Sequence, residues 1–392
     1  MLDQDRVRAD TPGCAGQVFL DSAGSSLPPT VVVEEVVAHL RREAEIGGYR
    51  AAAERADDLA DVKVALAQLL GARADDLALV ESATRAWSDF FYAVPLTAGD
   101  RILISEVEYA SNAIAALQRA RTTGATVEVV PSTPTGEIDV EALHRMLDER
   151  VRVVSLVHAP TNGGLLNPVR EVVELAHGVG ALVLLDACQS VGQVRVDVHD
   201  LGVDALSATG RKWLRGPRGT GFLYLRPELA QTMEPAALDL HGAQWAERSG
   251  YRLAPDASRF EFWECSVAGR LGLGAAARYL LRLGIDEVEA AVSARAEFAR
   301  TELAALPHVT IRDLGGHRSG IVSFTVAGVD PGEAREALAD NKITVTVSGR
   351  GSTYVDMTRR GLDGVLRASP HYFNTFDDLE RLVAAVAGLA GT

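Results

Sequence analysis

Disulfide chemistry is the first thing this sequence has too little material for. Its 392 residues include three cysteines, Cys14, Cys188 and Cys265, an odd number at unrelated spacings. Such a set reads as free thiols in a reducing cytoplasm, so neither a disulfide frame nor a zinc site is expected. Basic charge is also scarce: 39 Lys and Arg stand against 53 Asp and Glu, giving a net charge of −14. This acidic balance argues against nucleic acid or an anionic membrane as a partner. Each arginine must then be judged as a local site and not as part of a basic field. No apolar run is long and continuous enough to span a membrane. The opening residues, MLDQDRVRAD, are charged and lack an apolar stretch, so no secretory signal is expected and the expected location is cytoplasmic. No internal repeat or low-complexity block stands out.

The chain does have length and apolar content. With 47% hydrophobic and 23% charged residues it can bury a large core, which predicts one large and one smaller domain. Short apolar, β-branched runs predict strands at 77–80, 101–104, 127–130, 151–157, 181–185, 205–207 and 221–225. Amphipathic segments lie between several of them. One covers 140–148 behind Asp139 as N-cap. Another covers 168–179, with Asn167 as N-cap, Pro168 in the first turn and Gly180 as the stop. VVSLV and ALVLL read as apolar runs, as strands buried on both faces do, so the fold class is α/β with a mostly parallel central sheet flanked by helices. From about residue 270 a long helical stretch runs to Leu306. Strand-like segments at 309–312, 320–326, 343–347 and 365–369 follow, with helices from Pro331 to Asp340 and from Phe376. This alternation predicts a smaller α+β C-terminal domain. The division expected is 1–30 as an N-terminal segment contributing to the small domain and the site's mouth, 31–265 as the large domain and 266–392 as the small one. The segment 234–258 is expected to be an irregular functional loop.

Three segments carry chemistry. Asp186 ends the apolar run in LLDACQS, at the carboxyl end of a strand, where open α/β sheets bind ligands. An acid there can hold a protonated ring nitrogen, although Asp186 alone reads more simply as a turn residue. Lys212, in SATGRKWLRGPRGTG, lies in a turn between two strands. A lysine can form an imine with an aldehyde cofactor and then serve as a base. A surface lysine is the commoner case, but the nearby glycines and Arg211, a natural phosphate partner, weaken it. ESATRAW leads into a helix from about Thr84, and a helix start can bind phosphate through its N–H groups. In isolation this segment is an ordinary helix cap.

Taken in order, these segments resemble class V aminotransferase-fold enzymes. The resemblance rests on LDSAGSSLPP (20–29), SEVEYASN (105–112), HAPTNGGLLNP (158–168), LLDACQSVGQ, SATGRKWLRGPRGTG and LRASPHYFNTFDDLERLV (366–383). It covers nearly the whole chain and implies the type I fold of transferases dependent on pyridoxal 5′-phosphate. It implies that Lys212 carries the cofactor and acts in catalysis, that Asp186 pairs with the pyridine nitrogen, and that Gln189 reaches the phenolic oxygen with Thr161 or Asn162. Tyr109 would stack on the ring. Ala83, Thr84, Thr209 and Arg211 would hold the phosphate. Arg367 would bind a substrate α-carboxylate with its planar fork. An amino-acid substrate and a homodimer with residues 259–266 near the partner's site are further implications. Within RFEFWECS the position that often supplies a threonine to the partner's phosphate is Glu264, with Ser266 as a substitute.

Cysteine desulfurases of this family need a mobile cysteine before the carboxylate-binding arginine, whereas this sequence reads TVSGRGSTYVDMTRRG there. Cys188 and Cys265 look like ordinary small residues of the fold. EAEIGGY (43–49) resembles the corresponding part of C–S lyases of the ergothioneine and lincosamide pathways. The expectation is therefore a lyase cleaving the C–S bond of an S-substituted cysteine, with His241, Gln244, Trp245, Arg350 and Tyr354 around its larger side. Each of these five reads equally well as surface or packing. Transamination, decarboxylating oxidative deamination and epimerisation remain alternatives, as does, more remotely, a non-catalytic ligand-binding homologue.

Overall fold

A computed structural model describes residues 2–391. Seven strands form the main sheet in the spatial order Leu77–Val80, Gly221–Leu225, Ala205–Thr209, Leu182–Asp186, Val151–Val157, Arg101–Ser105, Thr126–Val130. The last five pair in parallel, and Gly221–Leu225 runs antiparallel to both of its neighbours. The expected strands match these to within two residues. Their inner members are buried on both faces because helices cover both sides, which is why their sequences lack period-two alternation. The parallel strands and Leu77–Val80 all end at one edge of the sheet, and the candidate residues follow directly after those ends.

The second sheet has four antiparallel strands, Val309–Ile311, Val322–Val326, Gly364–Ala368 and Thr346–Gly349, in that order. Helices Ile285–Ala304, Pro331–Asp340 and Phe376–Ala387 pack with it. The N-terminal stretch is tied here too: Val18–Phe19 pairs in parallel with Ile343–Thr344, and Asp21 bridges to Ser369.

Several local expectations need correction. The long helix to Leu306 is two helices, Val267–Leu283 and Ile285–Ala304, broken at Gly284 with φ +83°. The first of them packs on helices Thr30–Ile46 and Ala56–Leu70. Asn167 does not cap its helix, which starts at Val169. Its Oδ1 accepts from Ile138 N (2.8 Å) and its Nδ2 donates to Val157 O (2.7 Å). The capping side chain is needed to tie a strand end to a neighbouring loop, a long-range role that its sequence neighbours do not reveal. Residues 343–347 do not make one strand. They divide between Ile343–Thr344, which pairs with the N-terminal stretch, and Thr346–Gly349 in the small sheet. Within 234–258 lies a hairpin, Ala243–Glu247 with Gly250–Leu253, with Trp245 and Tyr251 exposed on it. Asp139 does cap its helix, accepting from Ala142 N at 2.9 Å.

Candidate active site

A cleft opens at the carboxyl edge of the main sheet, lined by Ser82, Ala83, Thr84, Tyr109, Asn112, Val157, Ala159, Thr161, Asp186, Cys188, Gln189, Thr209, Arg211 and Lys212. Nine of the expected residues therefore converge on one space, from segments far apart in the chain.

Lys212 follows the strand Ala205–Thr209 and is 9% exposed. Its turn is held from outside the cleft. Arg215 N donates to Lys212 O (3.0 Å), and Arg215 adopts φ 62°, a conformation non-glycine residues rarely take. Its fully buried guanidinium donates to Leu27 O (2.8 Å), Tyr372 Oη (2.8 Å) and Thr11 Oγ1 (2.5 Å), contacts that fix the strained residue in place. Lys212 Nζ lies 3.4 Å from Cys188 Sγ, a weak acceptor for an ammonium. Cys188 is thus in the cleft, against the expectation of a bland fold residue. Burial raises its thiol pKa, so it stays protonated. Only its spacing of two from Asp186 could have signalled this, and only once Asp186 was placed at a strand end.

Asp186 closes the strand Leu182–Asp186 and is 6% exposed. Its Oδ1 accepts from Cys188 N (3.0 Å) and its Oδ2 from Asn112 Nδ2 (2.9 Å). The same Asn112 nitrogen donates to Glu108 Oε1 (2.9 Å), which also accepts from Tyr109 N (2.9 Å). Glu108 and Asn112 escaped sequence reading: both lie in SEVEYASN, but nothing local shows that they point across to another strand. Tyr109 begins the helix Ala110–Thr123 and is 37% exposed, so a ring face remains available in the cleft.

Across the cleft the helix Ala83–Ala93 starts behind Ser82, whose hydroxyl accepts from Arg85 N at 3.1 Å. The first N–H groups of a helix have no partner inside it, so Ala83 and Thr84 present an anion cradle. Gly221 lets the antiparallel strand pass beneath it. A Cβ there would lie 2.6 Å from the Ser82 carbonyl carbon and 2.9 Å from Ala83 N. Arg211 lines the same end and donates to Gly24 O, while Thr209 Oγ1 donates to Thr220 O at 3.2 Å.

Gln189 is fixed on both sides. Its Oε1 accepts from Trp213 Nε1 (2.9 Å), and its Nε2 donates to Ala23 O (3.1 Å) and reaches Thr161 Oγ1 at 3.5 Å. Arg367 is 4% exposed and stands behind Thr161, donating to its carbonyl (3.0 Å) and hydroxyl (2.9 Å). Asp21 pairs with the same guanidinium at 3.0 Å. Burial pulls the Arg367 pKa down from its usual value and Asp21 pulls it up. Asn162 turns elsewhere, donating to Asp356 Oδ2 at 2.9 Å. Trp245 is 81% and Tyr354 64% exposed, Arg350 pairs with Asp363 at 2.5 Å, and none of the three lines the cleft of this single chain. Ser266 caps the helix Val267–Leu283, its hydroxyl accepting from Gly269 N at 3.0 Å; Glu264 is exposed.

The donor set fits pyridoxal 5′-phosphate. It offers a buried primary amine, a carboxylate held for a ring nitrogen, an exposed aromatic face and a helix start for a phosphate, all on one cleft. The comparisons with known proteins agree. The aminotransferase class V family description matches residues 18–382. A probable cysteine desulfurase from Mycobacterium leprae is 34% identical over 98% of this chain and 96% of its own length. The cysteine desulfurase CsdA from Escherichia coli superposes with a TM-score of 0.92 at 26% identity, covering 100% of this chain and 99% of that one. The cystine C–S lyase C-DES shares the fold, with a TM-score of 0.87 at 24% identity, over 96% of this chain and 99% of its own. With a family match over most of its length and near-complete coverage of such relatives, the chain belongs to the aminotransferase class V family and is an enzyme whose cofactor is pyridoxal 5′-phosphate.

Proposed function

We propose that this enzyme breaks the Cβ–S bond of an S-substituted cysteine, releasing a thiol or sulfenate together with pyruvate and ammonia. The observation that carries this reading is the segment 346–361, which holds no cysteine and is fastened down. Asp356 N donates to Glu106 O (3.1 Å), and Asp356 Oδ2 accepts from Asn162 Nδ2 (2.9 Å) and Arg360 (3.2 Å). A mobile thiol that would carry sulfur away as a persulfide has no counterpart there.

Bound in the cleft, pyridoxal phosphate would supply an electron sink for negative charge at the substrate Cα. Lys212 would hold the cofactor, and its free amine would be the base placed to take the α-proton. Asp186 keeps the ring nitrogen charged. Arg367, whose guanidinium stands behind Thr161, would take the α-carboxylate. Ala83 and Thr84, with Arg211 and Thr209, take the phosphate, and Gln189 takes the phenolic oxygen. The burial of Lys212 and Asp186 excludes water, which strengthens each of these electrostatic contacts. The hairpin 243–253 carries Trp245 outward, which suits contact with a second subunit in a homodimer.

A substrate panel with product analysis tests the proposal. Pyruvate appearing with thiol supports the lyase. A pyridoxamine spectrum would mark transamination, and α-deuterium incorporation with the amine retained would mark epimerisation. Lys212→Ala should abolish both the covalently bound visible chromophore and turnover. Cysteine desulfuration is the second reading, favoured by the names of the relatives. It predicts alanine and persulfide from cysteine in place of pyruvate.

A further inference from the structure

The bridge between Glu108 and Asp186 is unusual for its charge. Two buried carboxylates, 4% and 6% exposed, meet across one amide nitrogen. Asn112 Nδ2 has two hydrogens and directs one at each acid. Were both acids ionised, two like charges would face each other in a low-dielectric site with a neutral amide between them, which is unfavourable. Glu108 Oε2 is buried beside the Ser155 side chain and has no close hydrogen-bond partner among the described residues. A proton on that oxygen removes the repulsion, and the Ser155 hydroxyl beside it, itself without a partner among the described residues, is the group that could accept it. Asp186 accepts from Cys188 N as well as from Asn112, one donor more from outside its own turn than Glu108 Oε2 has. Burial first, and then the charge of Asp186, raise the Glu108 pKa to about 7, consistent with this assignment.

We propose that Glu108 is a positioning residue that acts as a neutral carboxylic acid through Asn112, orienting the Asp186 carboxylate toward the ring nitrogen of pyridoxal phosphate and, through Tyr109 N, setting the aromatic residue over the same ring. One side chain thereby ties the start of the helix Ala110–Thr123 to the end of the strand Leu182–Asp186. Its Oε1 needs only to accept, from Asn112 and from Tyr109 N, which the carbonyl oxygen of an uncharged acid can also do. A glutamine amide oxygen can do the same, so the Glu108→Gln variant should mimic the working state, whereas Glu108→Ala should release Asn112. This inference rests on the assignment of Asp186 to the ring nitrogen.

The test uses the holoenzyme and the variants Glu108→Gln, Glu108→Ala and Asn112→Leu, with Asn112→Ala in reserve should leucine fail to fold. Far-UV circular dichroism of each apoprotein confirms folding. The readouts are the dissociation constant for pyridoxal phosphate and the pH midpoint of the bound cofactor's visible band. Glu108→Ala and Asn112→Leu should weaken cofactor binding about tenfold and move the midpoint by about one unit, the equivalent of one lost contact to a charged group. Glu108→Gln should restore both values to those of the unaltered protein. The proposal is overturned if Asn112→Leu keeps both, or if Glu108→Gln behaves as Glu108→Ala does. Failure of the underlying reading looks different: the unaltered protein would then take up no pyridoxal phosphate, or Asp186→Asn would leave the band's titration unmoved.

Discussion

Replacing Asp21 with asparagine would remove the resident counter-ion of Arg367 while keeping nearly the same shape. Arg367 has a 5% exposed side chain and Asp21 a 20% exposed one, and they meet at 3.0 Å. Two unit charges about 4 Å apart attract by about 4 kcal/mol at an effective dielectric of 20. The asparagine oxygen would still accept one hydrogen bond, and Asp21 is partly wetted, so the net loss of folding stability should be about 2 kcal/mol. Substrate binding should change in the opposite direction. An arriving α-carboxylate shares the guanidinium with Asp21, and two carboxylates about 6 Å apart repel by about 3 kcal/mol under the same dielectric. Allowing half of that for solvent screening leaves about tenfold tighter binding of a simple amino acid in the variant. Urea unfolding measures the first effect, and the absorbance change of the bound cofactor on adding an amino acid measures the second. A variant that is less stable and binds its substrate no better, or worse, would refute the idea that Asp21 competes for the arginine. It would leave Asp21 as a mere positioner.

Burial lowers the His158 pKa to about 4 from an ordinary 6.5, so the folded protein keeps this imidazole neutral where the unfolded chain would protonate it. Stability from this residue is complete above pH 6.5 and is lost as the pH falls toward 4, by about 3 kcal/mol in all. His158→Gln should flatten that part of the stability–pH curve, and an unchanged slope would count against the assignment. Arg300 and Asp313 form a buried pair at 2.6 Å, with side chains 5% and 0% exposed, that joins the helix Ile285–Ala304 to the small sheet. Asp313→Asn should cost about 3 kcal/mol in chemical denaturation, because it leaves the buried guanidinium only its looser pair with the half-exposed Glu297 at 3.4 Å. Asp286→Asn, in an exposed pair with Arg195, should change stability by less than about 1 kcal/mol. Equal effects at the two sites would contradict the burial argument.

Much of the main sheet was legible because burial on both faces leaves a direct trace in composition: VVSLV and GFLYL have no polar alternation to hide. Lys212 and Asp186 were legible because a strand end followed by a turn is readable locally. The limits lie where one segment serves a distant one. Asn167 looks like a helix cap beside Pro168, yet its amide ties Ile138 to Val157. Glu108 and Asn112 sit on a helix start, and their use depends on Asp186, 74 residues on from Asn112. Cys188 looked inert because only the fold shows that Lys212 turns toward it. Helix and strand periodicity reports which face is apolar, and it carries no information about which polar partners meet across the fold.

The pairing of Asp21 with Arg367 also bears on the order in which the molecule is assembled. Its partners lie 346 residues apart, near the two ends of the chain, whereas Lys212, Asp186 and the helix start at Ala83 all emerge from the ribosome well before Arg367. A growing chain thus carries Lys212, Asp186 and the helix start before Arg367 exists, although the turn that holds Lys212 is fastened only when Tyr372 has been added. The Asp21–Arg367 pair therefore waits for the two ends of the chain to meet, a contact of long sequence separation that forms late in synthesis.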